Sequence, residues 1–591
     1  MDRDSGFSRK HPRRHTRIDH VILHPYHQNV QPVISAEQMR EIDRLTSEAH
    51  QTPSLLLMQA AAEACLQAIA NYFSENLAGK KVQILCGQGN NGGDGAALAQ
   101  ELSRCGAITD VILFGRVDAA RDDARANFEA LRRLASLKAG SKASTSPVSF
   151  VECTSASEWN ERAKACQTYD VIVDALFGTG LSRPLEGVFL QVVRHLKITR
   201  RARESSSAVQ PLIVSIDIPS GLNADLTETI GESVEADLTV TFTAPKPANV
   251  LPPAAYLNGK LIVANIGSPT SLVDAANSDL FVSEENEVRE WLISTRYTPD
   301  SFKNTHGHAL VIAGSRGYTG AAVLCGDAAM RSGAGLVTIA TPASAQTSVA
   351  AAVMPEVMTT ALAETDRGAV SDQAIDHVMQ LQSRATVIAI GPGLSAEDER
   401  TRRFVYLVVK QRKTPVVIDA DALNCLATYS TNGWPTDLQG SHESPLILTP
   451  HPGEMLRLLG TTDKAALDDR VAVARDFARK HKVILVLKGS RSLVAAPDGR
   501  VFINPTGNAG LGTAGAGDTL TGLIAGFIAQ TVGTLKANAN LVAATISALY
   551  VGGLAGDLAA RDLGMRAMVA SDIREHFSEA MRLLDPQGET P

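Results

Sequence analysis

The stretch V-Q-I-L-C-G-Q-G-N-N-G-G-D-G, residues 82–95, decides how the N-terminal half of this chain folds. Residues 82–86 form a short apolar run, the mark of a strand covered on both faces of a sheet. Gly87, Gly89 and Gly92 follow at the spacing G-x-G-x-x-G, and a helical pattern begins at Ala96. Strand, glycine-rich turn and helix together let backbone amides and a helix N-terminus approach a phosphate. The spacing alone suits a tight structural turn equally well. Asn90, Asn91 and Asp94 favour a ligand site, because two amides and a carboxylate offer ribose contacts and oxygen ligands that a bare turn does not need.

Outward from this stretch, further apolar runs at residues 110–114, 171–175, 212–216, 238–242 and 261–266 alternate with longer helical patterns, as in a doubly wound parallel sheet. Ser35 opens S-A-E-Q-M-R-E-I-D with Gln38 at capping-box spacing, and a second helix is expected over residues 55–70; both should cover the sheet. The polar, small-residue stretches 137–147 and 199–211 are expected to be surface loops. Two more segments fall at carboxyl ends of strands, where open α/β sheets bind ligands: V-D-A-L-F-G-T-G-L-S-R-P (173–184) and S-I-D-I-P-S-G (215–221).

The pattern breaks between Gly267 and Glu287, and a second α/β series starts near His308. Its strands are expected at residues 309–313, 336–340, 386–390, 416–419, 446–448 and 484–487, with helices at 321–332, 454–459, 464–482 and 519–531. Here the decisive stretch is G-N-A-G-L-G-T-A-G-A-G-D-T-L-T-G, residues 507–522. Asp518 directly follows Gly515, Ala516 and Gly517, so a carboxylate stands beside an anion-binding helix start, an arrangement suited to phosphoryl transfer. The plain alternative is an aspartate that only caps the helix. The loops G-S-R-G-Y-T-G-A-A (314–322), I-G-P-G-L (390–394), D-A-D-A-L-N (419–424), T-P-H-P-G-E-M (449–455) and L-K-G-S-R-S (487–492) accompany it.

With 591 residues, the chain has room for two large α/β units, each with a full core. A net charge of -7 gives no basic surface on which to expect nucleic acid. The seven cysteines contain no C-x-x-C pair, so free thiols in a reducing, cytoplasmic setting are expected. The apolar stretch 520–532 is interrupted by Thr521, Gly522, Gly526 and Gln530 and is too short to span a bilayer, so no membrane association is expected. Residues 1–32 carry Arg9, Lys10, Arg13, Arg14 and Arg17 without an apolar signal core, and a disordered basic tail is expected there.

Taken together, the three N-terminal motifs resemble the NAD(P)H-hydrate epimerase domain over about residues 33–267, and the C-terminal loops resemble the NAD(P)H-hydrate dehydratase domain over roughly residues 282–576. The resemblance implies a Rossmann-like three-layer αβα domain at 33–275 followed by a ribokinase-like αβα domain at 282–580. It implies that Asn90, Asn91, Gly92, Gly93 and Asp94, with Gly178, Thr179, Gly180, Leu181, Ser182, Arg183 and Pro184, hold a hydrated dinucleotide. Asp217 would contact it at the reacting end and shuttle protons, and Asn91, Asp174 and Ser220 would ligate a potassium ion.

In the second half it implies that Ala321, Gly393, His451 and Asp518 bind the hydrated dinucleotide. Lys488, Gly489, Ser490, Arg491 and Ser492, with Gly517, would bind the adenine nucleotide, with Mg2+ in the site. The implied partners are small molecules, hydrated NADH or NADPH and ADP (or ATP), with ADP favoured; a homo-oligomer is left open. Three positions depart from the family pattern: Gln59 in L-M-Q-A-A-A (57–62), Ser492 in place of threonine, and Gly553 where histidine is common. Two other readings stand beside this one: a vitamin or sugar kinase fused to a nicotinamide oxidoreductase, and a non-catalytic dinucleotide-binding protein.

Overall fold

The computed structural model describes residues 30–137, 148–164, 168–205, 211–429 and 433–586. They form two compact units, one of Ile34–Ala276 and one of Asn277 onward that also takes in the strand before Ile34. That strand, β1 (Val30–Pro32), corrects the expectation of a tail through residue 32: its residues pair antiparallel with Phe281, Val282 and Ser283. The basic part of the expected tail lies outside the described residues.

The first unit is built on β2 (Lys81–Cys86), β3 (Ile108–Phe114), β4 (Val148–Cys153), β5 (Val171–Ala175), β6 (Leu212–Ile216), β7 (Leu238–Phe242) and β8 (Lys260–Ala264). They make one parallel sheet in the order β4-β3-β2-β5-β6-β7-β8. Every residue of β5, β6 and β7 is buried, which is why these segments read as unbroken apolar runs. The edge strand β4 buries only Val148 and Cys153 and lacks such a run, so the sequence did not reveal it.

Strand order reverses between β2 and β5, which opens a crevice at their carboxyl ends. Both glycine-bearing motifs lie there. The predicted capping box is present: Ser35 Oγ accepts from the Gln38 amide at 3.2 Å and Gln38 Oε1 from the Ser35 amide at 2.9 Å. The expected loop 199–211 is corrected over its first part, since the helix Gly187–Ser205 continues through it. Arg201 is exposed, and Arg200 donates to the carbonyls of Glu235 and Ala236 at 2.8 Å. The other expected loop, 137–147, lies outside the described residues apart from Leu137, which ends the helix Asp122–Leu137.

The second unit is built on β9 (Leu280–Ser283), β10 (His308–Ile312), β11 (Leu336–Pro342), β12 (Met358–Leu362), β13 (Val387–Ile390), β14 (Val416–Ile418), β15 (Leu446–Leu448), β16 (Ile484–Leu487), β17 (Leu493–Ala495) and β18 (Val501–Ile503). The sheet order is β1-β9-β18-β17-β16-β15-β14-β13-β10-β11-β12. From β10 to β16 the strands are parallel, and the order reverses between β10 and β13. The antiparallel strands β17 and β18 extend the sheet, each too short to show a period.

The expected helix 464–482 is two pieces, a turn at Lys464–Leu467 and the helix Arg470–His481. Asp469 breaks the run by capping the second piece, accepting from the Ala472 amide at 2.9 Å. The apolar stretch at 520–532 belongs to a longer helix, Ala516–Leu535, followed by Leu541–Leu563. Both regions are long and apolar enough to cross a membrane, but 61% and 72% of their most apolar windows are buried inside the protein. In this unit they act as core helices: Trp291 stacks on Phe527 with ring centroids 4.1 Å apart, and the helix Thr319–Arg331 packs alongside.

Candidate active sites

At the crevice of the first unit, β2 and β5 approach so closely that a Cβ on Gly87 would lie 2.0 Å from the Leu176 carbonyl oxygen, and one on Gly92 would lie 1.8 Å from the Gly87 carbonyl oxygen. Only glycine fits there. The helix starts at Asn90, earlier than the sequence suggested, with Gly89 as an extended N-cap. Asn90 to Asp94 are therefore first-turn residues whose leading amides have no intrahelical acceptor. Asn91 is buried with its amide nitrogen unpartnered. A Cβ on Gly178 would lie 3.0 Å from Asp217 Oδ2 and 3.2 Å from Asn91 Oδ1, so Gly178 lies close against both side chains, with little room for one of its own.

Asp217, at the end of β6, adopts a left-handed backbone (φ 65°), a strained conformation for a non-glycine residue that costs about 1–3 kcal/mol. Its Oδ1 accepts from Lys246 Nζ at 2.7 Å and from Thr241 Oγ1 at 3.0 Å. Asn249 braces the same corner: its Oδ1 accepts from the Lys246 amide at 2.9 Å and its Nδ2 donates to Asn258 Oδ1 at 2.9 Å. Lys246 was not among the residues singled out from sequence. Its signal was a lysine a few residues past the carboxyl end of a buried strand, in T-F-T-A-P-K.

Asp174 is fully buried and accepts four hydrogen bonds, from Ser220 Oγ (2.6 Å), the Ser220 amide (2.8 Å), Ser215 Oγ (2.9 Å) and the Leu176 amide (3.3 Å). Burial raises its pKa despite these bonds. Thr179, Gly180, Ser182, Arg183 and Pro184 lie on the accessible part of the loop. Leu181 is turned into the apolar cluster with Leu176 and Leu185, so its side chain anchors the loop and does not face a ligand.

In the second unit the helix that carries Asp518 starts at Ala516 from Gly515, whose φ of 83° is a left-handed value that favours glycine. Beneath it, Asp419 is buried at the end of β14, with Oδ1 accepting from Lys488 Nζ at 2.7 Å and Oδ2 from Thr521 Oγ1 at 2.6 Å. Burial alone would raise the Asp419 pKa, but the Lys488 charge and these bonds lower it overall. Asp518 has no such cation bonded to it: burial, then Asp419 and Asp421, push it up to about 7 against the opposing pull of Lys488. Gly517 completes the group, since a Cβ there would lie 3.6 Å from Lys488 Nζ and 3.9 Å from Asp419 Oδ2.

Gly393 and Ala321 meet at the β10/β13 reversal, where a Cβ on Gly393 would lie 3.0 Å from Ala321 Cβ. The loop from Lys488 to Ser492 is closed by Ser492 Oγ, which accepts from the Gly489 amide at 3.3 Å. Arg470 holds the loop from outside by donating to the Ser490 carbonyl at 2.9 Å, and Arg491 donates to the Pro505 carbonyl. His451 caps the helix Pro452–Leu458: its Nδ1 accepts from the Gly453 amide at 3.0 Å and its Nε2 lies 3.4 Å from Glu454 Oε1. Burial, Lys488 and Arg457 lower its pKa. Asp419 and Glu454 stand in motifs quoted from the sequence but were not singled out individually; only the fold shows that Lys488 lies against both, at 2.7 and 4.0 Å.

Residues 54–248 match the family described as YjeF-related protein N-terminus, and residues 309–579 match NAD(P)H-hydrate dehydratase. A bifunctional NAD(P)H-hydrate repair enzyme from Moorella thermoacetica is 39% identical over 559 residues, covering 94% of this chain and 98% of its own length. The chain belongs to the bifunctional NAD(P)H-hydrate repair enzymes. Another member, from Escherichia coli, is 30% identical over 552 residues, 93% of this chain and 94% of that protein. The crystal structure of the ADP/ATP-dependent NAD(P)H-hydrate dehydratase of Bacillus subtilis, co-crystallized with ATP/Mg2+, is 30% identical, covers 51% of this chain and 98% of that one, and has a TM-score of 0.43.

A kinase–oxidoreductase fusion is set aside, because single repair enzymes account for both halves at once. The departures from the family pattern are structural in this repair enzyme. Gln59 is exposed and donates to Glu63 at 3.3 Å, while the neighbouring Met58 is buried. Gly553 is buried in the helix Leu541–Leu563, where a Cβ would lie 2.2 Å from Thr506 Oγ1; the threonine hydroxyl fills the space a larger residue would need. Ser492 supplies the loop-closing hydroxyl that threonine would supply. Six of the seven cysteines are described, all free, with Cys105 the exposed one; Cys166 lies outside the described residues.

Proposed function

We propose that the first unit interconverts the R and S forms of hydrated NADH and NADPH and that the second dehydrates the S form, consuming ADP and giving AMP and phosphate. The observation that carries the second activity is Asp518, a carboxyl near neutrality at the start of a glycine-rich helix, above the Lys488–Asp419 pair. Spontaneous hydration yields both epimers and a dehydratase pocket accepts one, so an epimerase in the same chain supplies the other.

Asp518 takes the proton from the ring hydroxyl as its oxygen attacks the terminal phosphoryl group, with AMP as leaving group. The free amides at the helix start face the charge that develops on the phosphoryl oxygens. Hydroxide leaves poorly and phosphate leaves well, so the phosphorylated hydrate then loses phosphate and a ring proton to restore the double bond. Lys488 holds Asp419 ionised and adds positive charge to the nucleotide side of the site. The carboxylates of Asp518 and Asp421 are hard oxygen donors of the kind Mg2+ takes with nucleotide phosphates.

The potassium set is chemically consistent: Asp174 is buried, no lysine or arginine pairs with it among the described residues, and the donors at Asn91, Ser220 and Asp174 are all oxygens. A bound potassium ion would neutralise Asp174 and tie together the loops after β2, β5 and β6. A cytoplasmic location is part of the same proposal, supported by buried cysteines free of disulfides among the described residues.

The test is recovery of dihydronicotinamide absorbance when the purified protein meets a mixed-epimer sample of hydrated NADH, with ADP, with ATP, or with neither. Nucleotide-dependent recovery beyond the directly reactive epimer establishes both activities and names the donor. Absence of recovery in every arm would leave a binding protein.

A further inference from the structure

One carboxyl group beside the first site has no part in the account above. The helix Ala36–Ala49 buries Ala36, Met39, Ile42 and Thr46 against the first unit. Asp43 occupies the register between Met39 and Thr46, a position that this stripe would give to an apolar residue. Its Oδ1 is buried and bonded to nothing among the described residues. Lys246 is the nearby cation, but its three N–H donors are already committed, to Asp217 Oδ1 (2.7 Å), Thr241 Oγ1 (2.9 Å) and the Phe242 carbonyl (3.2 Å).

Asp43 therefore stands in the electrostatic reach of the Lys246–Asp217 pair without being bonded to it, and Asp94 interacts with both aspartates in turn. Burial pushes Asp43 up to about 6, Lys246 opposing and Asp217 adding; burial, Asp217 and Asp43 push Asp94 well above the usual carboxylate range. Three carboxyls, Asp43, Asp94 and Asp217, thus share one ammonium, that of Lys246, whose hydrogen bond goes to Asp217. The helix that carries Asp43 lies over the loops that carry Asp217 and Lys246: Ala36 packs with Ile218 and Ala248, and the Ile34 amide donates to the Pro245 carbonyl at 2.9 Å, so an uncommitted carboxyl stands over a carboxylate fixed by lysine, an acid near a base.

We propose that Asp43 is the proton donor of the epimerase centre, acting on the ring hydroxyl of the hydrated dinucleotide while Asp217 serves as the base. This rests on the epimerase reading of the first unit. The hydroxyl is on the ring carbon next to nitrogen. Its oxygen takes the Asp43 proton and leaves as water with the C–O bonding pair, and the nitrogen lone pair forms the C=N bond. Water then adds to that carbon from the opposite face, passes one proton to Asp217, and the C=N pair returns to nitrogen. The substrate keeps its atoms and charge, one proton has moved from Asp43 to Asp217, and solvent exchange restores both.

The experiment uses the full chain carrying Asp43→Asn, with wild type and Asp217→Asn alongside. Asp43→Asn should slow epimerisation by roughly 100-fold or more, with KM for the hydrate nearly unchanged, ADP-dependent dehydration of the purified S epimer retained, and a thermal midpoint equal to or above wild type. In 18O-labelled water, wild type should place one solvent oxygen on the ring carbon per epimerisation. Wild-type epimerisation by Asp43→Asn, a lowered midpoint with loss of both activities, or epimerisation without label uptake would each overturn the proposal. A wild-type chain that does not epimerise at all would instead refute the epimerase reading itself.

Discussion

Lys246 holds its ammonium 2.7 Å from the Asp217 carboxylate while only 1% of the lysine side chain is exposed. An ion pair this deeply buried adds little net stability compared with apolar packing, but removing one partner strands a buried charge. The arrangement holds the Asp217 side chain in place beside its left-handed backbone at the carboxyl end of β6. Lys246→Met should destabilise the first unit by about 3–5 kcal/mol and abolish epimerisation. Adding Asp217→Asn to that variant should recover part of the stability and none of the activity, as followed by urea unfolding.

Asp518→Asn removes the proposed proton acceptor while nearly preserving shape. Dehydration should fall by roughly 100-fold or more, and epimerisation should stay at the wild-type rate. Separate assays on the purified R and S epimers measure this, and loss of both activities would contradict independent sites.

The same carboxyl sets the pH response. With Asp518 pushed up to about 7, dehydration should decline as pH falls below 7, because the protonated acid cannot take the hydroxyl proton. For stability the sign is the opposite of an ordinary salt-bridged aspartate. A folded-state pKa raised above the ordinary 3.8 contributes stability that is present below 3.8 and lost as pH rises through about 7. Asp518→Asn should therefore be more stable than wild type at pH 8, by on the order of 2 kcal/mol, with a smaller advantage at pH 5. Thermal scans across this range check both sign and size.

Arg470 braces the loop Lys488–Ser492, the proposed nucleotide site, through its hydrogen bond to the Ser490 carbonyl. Arg470→Met should raise KM for ADP by roughly tenfold, as expected from loss of one charge-assisted hydrogen bond, with a smaller change in kcat and none in epimerisation. An unchanged KM would mean that the loop holds its shape without the arginine.

Gly553 has no room for a side chain beside Thr506. Gly553→Ala should cost about 1–3 kcal/mol through forced repacking. Gly553→His should cost more and should not raise dehydration, which steady-state kinetics and unfolding of the two variants would measure.

Much of this protein was legible from sequence because strand, turn and helix signals are local. Fully buried strands such as Val171–Ala175 read as continuous apolar runs, and the glycines at 87 and 92 announced a close approach of backbone to backbone. The half-exposed edge strand Val148–Cys153 and the three-residue strands Leu493–Ala495 and Val501–Ile503 gave no comparable signal. The end of the helix Gly187–Ser205 resembled a loop because its residues are polar and small, although the backbone stays helical.

The sequence by itself determined two α/β units, the glycine-rich turns at strand ends and the family to which they belong, because each depends on neighbours along the chain. Only the tertiary structure decided that Val30–Pro32 joins the second sheet, that Lys246 pairs with Asp217, and that Asp419 and Lys488 lie beneath Asp518. Strand order brings those groups together from distant segments. Burial and charge at short range then set their protonation, and neither can be read from spacing along the chain.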